Sequence, residues 1–153
     1  CSNIFFWDSD VYPPTDTLNV LYAERLPIIG GLYWSKRGHY ACWNVDISGR
    51  TLIPMTDKEL PYKGPIRVDA IGMGCCLIDV RVFKNLSPPW FNWEIREPPA
   101  KEPGKWSEDI SFALKAWKQG GFPTYIHTSV RCGHEHTQVM DPEGKGLPIG
   151  ESY

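Results

Sequence analysis

Residues 4–10, IFFWDSD, form a short continuous apolar run that ends in two carboxylates. Apolar runs of this length, bounded by polar residues, are typical of strands buried in a parallel sheet. In open α/β sheets, ligands bind outside the carboxyl ends of the strands. Residues two apart in an extended chain project to the same side, so we expect Asp8 and Asp10 to face one site. A simple turn at Asp-Ser-Asp is the alternative for so short a pattern.

A pair of carboxylates at such a position has a chemical consequence. Like charges held together at a rim shielded from water repel each other unless a cation, or hydroxyl donors of a ligand, share them. Hard oxygen ligands suit Mg²⁺ or Mn²⁺, which keep several waters and bridge to substrate phosphates. Asp8 and Asp10 therefore predict a divalent cation site at the end of the first strand.

Strand and helix patterns alternate along the rest of the chain. Further strands are predicted at residues 28–34, 68–78 and 124–130, with weaker antiparallel strands at 40–45 and 51–54. The predicted fold class is therefore α/β, with a mixed, mainly parallel sheet flanked by helices.

Three helices are predicted between these strands. Leu18, Leu21, Tyr22 and Arg25 follow two prolines at helical spacing, and Asp79 is a suitable N-cap for a short second helix. Ser107 begins the clearest helix, whose apolar stripe is Ile110, Ala113, Leu114 and Trp117 and which ends at Gly120-Gly121. Residues 87–105, with five prolines, are predicted to form a long loop.

The composition is that of one folded domain. The chain has 153 residues, of which 42% are hydrophobic and 22% charged, unlike a disordered chain. Its 16 basic and 18 acidic residues give a formal charge of −2, without the basic surplus of nucleic-acid-binding proteins. No apolar run approaches the roughly 18 residues that cross a bilayer. We therefore predict no nucleic-acid partner and no transmembrane segment.

The tryptophans and cysteines are also informative. Seven tryptophans exceed what a core of this size needs, and surplus indoles often stack on flat apolar faces such as those of sugars. Ordinary packing is the alternative for any one of them. Five cysteines, two of them adjacent, do not resemble a disulfide framework, so a cytoplasmic location is predicted. A chain that begins at Cys1 directly before a strand is expected to be a piece of a longer protein.

Two further segments carry groups capable of chemistry. Glu108 and Asp109 lie in the first turn of the clearest helix. Acidic residues there are stabilised by the helix dipole and need no further role. The functional alternative is that one of them is a general base presented toward a pocket. His134 lies in the segment CGHEH, residues 132–136. That segment lacks the paired spacing of a structural zinc site, and one imidazole that completes a carboxylate site for Mn²⁺ is the simpler interpretation.

The order of these segments resembles the GT-A glycosyltransferases, particularly the family-2-like enzymes. The matching segments are residues 4–14, 68–74, 89–91, 107–112 and 130–134. The resemblance runs from about residue 3 to residue 136, and we treat 1–136 as a partial GT-A-like domain and 137–153 as a C-terminal loop or tail. Each motif is weak alone, but five in the order of the family are fairly specific.

The resemblance implies a metal-dependent transfer of sugar from a nucleotide-sugar donor to a carbohydrate or other hydroxyl acceptor. Asp8-Ser9-Asp10 is similar to the DxD motif of the family, with Asp10 as the more direct ligand of Mn²⁺ or Mg²⁺ and Asp8 nearer the ribose or donor sugar. His134 is similar in place to a histidine that ligates the same ion.

The remaining implied site residues come from the other matching segments. Glu108 and Asp109 match an acidic pair near the acceptor, in which Asp109 would act as base in an inverting reaction. The residues assigned to donor or acceptor binding, besides Asp8, are Asp69, Gly72, Gly74, Trp90 and Trp106.

The resemblance also raises one question about the donor. GT-A enzymes begin with a nucleotide-binding half, and this chain starts at the strand that carries DxD. We expect a missing N-terminal half, or a second chain, to complete the sheet, whose unpaired edge would favour association. The alternative function is a non-catalytic carbohydrate-binding or assembly module; a zinc-stabilised structural domain is a third and weaker option.

Overall fold

The computed structural model describes residues 1–35, 38–49, 51–60, 64–95, 105–135, 139–140 and 146–147. The helices are α1 (Thr17–Ala23), α2 (Val80–Lys84) and α3 (Glu108–Gly120). The strands are β1 (Asn3–Trp7), β2 (Val11–Tyr12), β3 (Ile28–Leu32), β4 (Cys42–Val45), β5 (Leu52–Pro54), β6 (Pro65–Val68), β7 (Ala70–Ile71), β8 (Cys75–Asp79), β9 (Glu94–Ile95), β10 (Lys105–Trp106), β11 (Thr124–Arg131), β12 (Gly133–His134), β13 (Val139–Met140) and β14 (Gly146–Leu147).

A five-stranded sheet in the order β1-β8-β3-β11-β6 forms the centre of the fold. Strands β3 and β11 are parallel, whereas the other three neighbouring pairs are antiparallel. The fold is therefore α/β with a mixed sheet, as predicted. The prediction of a mainly parallel sheet is wrong, because β8 lies between β1 and β3 and runs opposite to both.

The two faces of the sheet are covered by different helices. Alternate residues of β3 point to opposite faces, so Ile28 packs in a cluster with Phe83 of α2 and Phe112 of α3, while Ile29 packs in a cluster with Leu21 of α1. The smaller sheet β5-β4-β7 adds a third cluster under α3. The core therefore consists of one apolar layer on each side of the main sheet and a third cluster between the smaller sheet and α3.

Several predicted elements form with changed details. The first strand lies at an edge of the sheet and is only partly buried, with Ile4 and Trp7 exposed, so the prediction of a fully buried parallel strand is wrong. Helix α1 buries Thr17 and Leu21 and exposes Leu18 and Tyr22, because a helix of two turns covers little of the sheet. Arg25, predicted to be helical, instead has a φ of 54° beyond the end of α1.

The helix boundaries follow their capping residues. The Asp79 side chain accepts a hydrogen bond from the Arg81 amide at 2.8 Å, as an N-cap should. Ser107 stands at the N-cap position of α3, but its side chain makes no capping hydrogen bond, so the predicted cap is met in position only. Gly121 ends that helix at a φ of 66°, a conformation that glycine adopts without strain. Ile110, Ala113 and Leu114 are buried as predicted, whereas Trp117 is exposed.

The remaining predictions are met in part. The weak antiparallel pair is confirmed as β4 and β5. The segment predicted as a loop at 87–105 contains β9 and ends in β10, which pairs with it, and residues 96–104 are outside the described part. The tail contains the hairpin β13-β14. Among the described helices, none combines the length and apolar character that crossing a bilayer requires.

Gly30 gives a direct test of the packing at the centre of the sheet. A Cβ at this position would lie 2.8 Å from Ile71 Cδ1 and 3.0 Å from the backbone oxygen of Cys75, which cannot move aside. We expect Gly30→Ala to lower the free energy of unfolding by about 1–3 kcal/mol, measured by urea denaturation. Gly133→Ala is the matched control, since its Cβ would have no neighbour closer than 3.5 Å. Equal stability of the two variants would contradict this account.

Candidate functional site

The ends of four central elements meet at one edge of the main sheet. Strands β1, β3 and β11 all end there, and the antiparallel β8 begins there, preceded by Gly74. The Asp8 amide donates to the Gly74 carbonyl at 3.0 Å, which attaches the end of β1 to the start of β8. Ligands of α/β proteins bind at the carboxyl ends of such strands, so this edge is the candidate site.

Asp10 and His134 are brought together by a short antiparallel pair. Strand β2 pairs with β12, so that Val11 lies opposite His134, and the Glu135 amide donates to the Asp10 carbonyl at 2.7 Å. As a result, His134 Nε2 lies 3.5 Å from Asp10 Oδ2. These side chains are 10% and 37% exposed, respectively, so the pair is shielded on the imidazole side and open on the carboxylate side.

A hydrogen bond at His134 Nδ1 determines the orientation of the imidazole ring relative to Asp10. His134 Nδ1 lies 2.5 Å from the Trp34 carbonyl, and a carbonyl oxygen can only accept, so Nδ1 carries a proton. In the neutral ring, Nε2 then presents its lone pair toward the Asp10 carboxylate. A proton on Nε2, or a cation between the two groups, makes this contact favourable, and metal-ligating histidines are commonly oriented by such a carbonyl.

Glu135 adds a carboxylate that the sequence analysis missed. The Tyr12 hydroxyl donates to Glu135 Oε2 at 2.5 Å, and this hydrogen bond together with the charge of Glu135 raises the pKa of Tyr12. In the sequence, Glu135 stands between His134 and His136 and matches no motif of its own. Its position after β12 and its backbone contact to Asp10 now place it at the rim of the candidate site.

Tyr33 is the second missed residue, and it connects the predicted groups. Its hydroxyl accepts a hydrogen bond from the Gly74 amide at 3.0 Å, and its ring packs edge to face with the His134 ring at a centroid distance of 5.3 Å. Burial is the main cause that raises the pKa of Tyr33, and the negative charges of Asp109 and Asp8 raise it further.

Asp109 is presented by the first turn of α3. Its Oδ1 accepts hydrogen bonds from the Ser107 hydroxyl and from the Ile110 amide, the latter at 2.7 Å. Burial raises the pKa of Asp109 despite these hydrogen bonds, and the charge of Glu108 adds to the effect. Glu108 itself is exposed. The charge of Asp109 also contributes to the raised pKa of Tyr33.

Two predicted glycines have a packing role at the same place. A Cβ on Gly74 would lie 2.8 Å from Val11 Cγ2 and 3.0 Å from the Tyr33 hydroxyl, and a Cβ on Gly72 would collide with that hydroxyl. Both glycines therefore make room for Tyr33 beside the start of β8. Their assignment to donor or acceptor binding stays a prediction.

Asp69, Trp90 and Trp106 have structural contacts elsewhere. The Asp69 side chain accepts a hydrogen bond from the Val45 amide at 2.7 Å and so stabilises the end of β4. Trp106 packs against the cluster under α3. Trp90 lies against Phe83 at a centroid distance of 5.4 Å. The proposed ligand contacts of these three residues are not tested by the structure.

Asp10 and His134 carry an oxygen and a nitrogen atom of the kinds that bind divalent cations. Two adjacent ligands of an octahedral Mg²⁺ lie about 3 Å apart, close to the 3.5 Å between Asp10 Oδ2 and His134 Nε2. Among the described residues, no group of three or more His, Cys, Asp or Glu side chains is arranged to hold a metal ion. An ion held by Asp10 and His134 would have to take its remaining ligands from water and substrate oxygens. His136 lies outside the described residues.

The fold defines an α/β protein with a mixed sheet, and its architecture has a solved counterpart. The chain is similar to A197 from STIV, with a TM-score of 0.57 and 18% sequence identity over 99% of this chain and 69% of that chain. A likeness at this level of identity concerns the fold alone. No protein-family model and no curated protein matches the sequence.

The hydroxyl of Tyr33 gives a test of how the site is held together. Tyr33→Phe would leave the buried Gly74 amide without its acceptor, and we expect the free energy of unfolding to fall by about 1–3 kcal/mol in urea denaturation. Tyr22→Phe, at a tyrosine that is 57% exposed, is the control and should change stability by less than about 0.5 kcal/mol. Comparable losses in both variants would rule out a specific role for the hydroxyl.

Proposed function

We propose that this chain is the catalytic and acceptor-side portion of a metal-dependent glycosyltransferase of the GT-A type. It would move a sugar from a nucleotide-sugar donor to a hydroxyl acceptor with inversion. The observation that carries the proposal is the pairing of β2 with β12, which sets Asp10 and His134 3.5 Å apart at the edge where α/β sheets bind ligands.

Asp10 and His134 would hold Mn²⁺ or Mg²⁺, with Asp8 directed toward the ribose or the donor sugar. When bound, such an ion neutralises the charge that develops on a departing nucleoside diphosphate. The Trp34 carbonyl keeps Nε2 of His134 available as a ligand by holding the ring proton on Nδ1. A proton on Nε2 is the alternative to an ion, and metal titration separates the two.

Asp109 would act as the base that takes the proton of the acceptor hydroxyl. Burial raises the pKa of Asp109, and a carboxylate with a raised pKa is a better proton acceptor in the transition state. The hydrogen bonds from Ser107 and Ile110 both go to Oδ1. Its other oxygen, Oδ2, is therefore the one that would accept the proton.

Donor binding would need additional polypeptide beside β1. Among the described residues, β1 pairs with β8 alone and is an edge strand of the main sheet, so its other side can accept a further strand. The nucleotide-binding half that the resemblance implies would complete the sheet there, either in the same polypeptide or from a second chain.

The decisive test uses the protein as expressed from its complete gene. It is incubated with Mn²⁺, a panel of nucleoside diphosphate sugars and simple glycan acceptors, and the release of nucleoside diphosphate is measured. Support would be release that requires both the ion and an acceptor and that disappears with EDTA. A complete absence of release with every donor, while Mn²⁺ is bound, would contradict the proposal.

A non-catalytic carbohydrate-binding module is the second candidate, and the surface tryptophans favour it. Five of the seven are exposed, and indole faces at a surface are suited to stacking on sugars. The exposed residues are Trp7, Trp34, Trp90, Trp93 and Trp117. This candidate would be preferred if glycans bound in EDTA and no sugar nucleotide was consumed under any condition.

A further inference from the structure

Two free cysteines approach each other across the central strand β3. In the main sheet β3 lies between β8 and β11; Cys75 begins β8, and Cys132 directly follows β11. The Cys132 amide donates to the Leu32 carbonyl at 2.8 Å, which holds Cys132 beside β3. Both cysteines pack in the cluster that contains Ile29, so their side chains lie on the same face of the sheet.

Gly31 of β3 makes room for this approach because it has no side chain. A Cβ on Gly31 would lie 2.8 Å from Cys132 Sγ and 3.1 Å from Cys75 Sγ, so both sulfurs border the space above one glycine. The Cys132 thiol donates a hydrogen bond to the Cys75 sulfur, and the Gly31 amide donates to the same sulfur. The two thiols are therefore in direct contact.

The end of β11 has the freedom that a covalent link between the two sulfurs requires. A disulfide needs Cα atoms about 4.4–6.8 Å apart, which a thiol contact alone does not guarantee. The register between β11 and β3 shifts between His127 and Arg131, and Cys132 follows this irregular segment. We therefore expect Cys132 to move toward Cys75 at a smaller cost than a residue in a regularly paired strand.

The positions of the other cysteines make this pair specific. Adjacent residues of a strand point to opposite faces, so Cys76 packs with Cys42 in the cluster on the other face of the sheet. Cys1 is exposed at the start of the chain. Within the pair, Cys75 is buried and Cys132 only partly buried, so a small oxidant reaches Cys132 first.

We propose that Cys75 and Cys132 are a redox-active pair that hydrogen peroxide converts into a disulfide. The Cys132 sulfur takes one oxygen as the O–O bond breaks; this gives a sulfenic acid, and the thiol proton leaves with the other oxygen as water. The Cys75 sulfur then attacks the Cys132 sulfur. The S–S bond forms, the S–O bond breaks, and the hydroxyl group leaves with the Cys75 proton as a second water.

This bond changes the surroundings of the candidate site. Cys132 precedes β12, which carries His134, and Cys75 follows Gly74, to which the end of β1 is attached. The disulfide therefore fixes the segment that carries His134 to the start of β8. This effect concerns the mobility of β12, so it depends neither on metal binding nor on sugar transfer.

The test treats the reduced full chain with a small excess of hydrogen peroxide. The remaining thiols are then alkylated with N-ethylmaleimide in denaturant and counted by mass spectrometry. We expect two fewer alkylated cysteines than the five of the reduced chain, and peptides linked through Cys75 and Cys132 in a digest without reductant. Hydrogen exchange of the β12 amides should slow about fivefold or more and recover with dithiothreitol. The thermal midpoint should rise by about 5 °C or more.

Variants of single cysteines separate this pair from general oxidation. Cys132→Ser should lose both the link and the slowed exchange, and it keeps the test valid if the buried Cys75→Ser does not fold. Cys1→Ser removes an exposed thiol and is the matched control, which should form the link as the unsubstituted protein does. An undiminished number of alkylated cysteines after peroxide, a link through any other pair, or a sulfinic acid at Cys132 in place of the link would each overturn the proposal.

Discussion

Replacement of Asp10 by alanine is expected to remove Mn²⁺ binding and to lower sugar transfer by a factor of about 10² or more. Asp10 supplies the carboxylate that lies 3.5 Å from His134 Nε2, and no other described side chain joins these two in a group of three suited to a metal. A single imidazole binds Mn²⁺ too weakly to hold it, because hard cations prefer carboxylate oxygens. The measurement is isothermal titration of Mn²⁺ into both proteins, together with turnover at saturating metal.

Asp16→Ala is the matched control for this substitution. Asp16 is an exposed carboxylate at the start of α1, and its side chain makes no capping hydrogen bond. It should therefore bind Mn²⁺ and turn over like the unsubstituted protein. Equal affinity for Mn²⁺ in the Asp10→Ala protein would mean that Asp10 is not a ligand of the ion, and the metal-dependent mechanism would be abandoned.

The contact between Asp10 and His134 could be predicted in part from sequence. Both residues follow an apolar strand, and strand ends gather at one edge of an α/β sheet. Sequence spacing did not show that β2 and β12 would pair, because two-residue strands have no pattern of their own. That pairing is what sets the separation of 3.5 Å.

Tyr33 and Glu135 show why the site could not be completed from sequence. Glu135 lies within the segment CGHEH, but nothing in its spacing distinguishes it from an ordinary surface carboxylate, and Tyr33 is one aromatic residue among many after a buried strand. Its importance comes from tertiary contacts: the hydrogen bond from Gly74 and the packing against His134 depend on how three separate strands end. Such contacts exist only once the sheet order is known.

The sheet order was the part of the fold that the sequence could not supply. Continuous apolar stretches predict burial on both faces, which is why residues 4–7 indicated a parallel strand. The stretch predicted as one strand at 68–78 is instead divided at Gly72 and Gly74, with β7 before them and β8 after them, and β8 returns antiparallel between β1 and β3. Hydrophobicity reports whether a segment is buried and carries no information on strand direction.

Helix boundaries were predicted more reliably than strand order, because a helix end depends on residues that are close in sequence. Asp79 caps α2 with its side chain, and Gly121 ends α3 in the left-handed conformation, because each needs only its immediate neighbours. At α1 the same reasoning was right for Leu21, which is buried, and wrong for Leu18 and Tyr22. Thr17 is buried there and Leu18 is exposed, because the packing of the short helix against the sheet, and not its most apolar stripe, determines which side is buried.

Asp109→Asn is expected to lower turnover by a factor of about 10² or more while Mn²⁺ binding is retained. The amide has nearly the shape of the carboxylate, and its oxygen can still accept the hydrogen bonds of Ser107 and Ile110. It cannot take a proton from an acceptor hydroxyl at neutral pH, so catalysis is lost without loss of the site. Unchanged turnover in this variant would remove Asp109 from the role of base.

The same substitution has an opposite effect on stability, and this gives an independent check. Burial raises the folded-state pKa of Asp109 above the value of about 3.9 of an unfolded chain. The folded protein then binds more protons in this window, so its free energy of unfolding falls as the pH rises from about 4 through the raised pKa. Asparagine has no such titration, and urea denaturation should show Asp109→Asn gaining stability relative to the unsubstituted protein across that window. Asp16→Asn changes an exposed carboxylate and should show no comparable gain in stability. If the stability difference for Asp109→Asn did not depend on pH, the folded state would not raise the pKa of Asp109, and this account would be wrong.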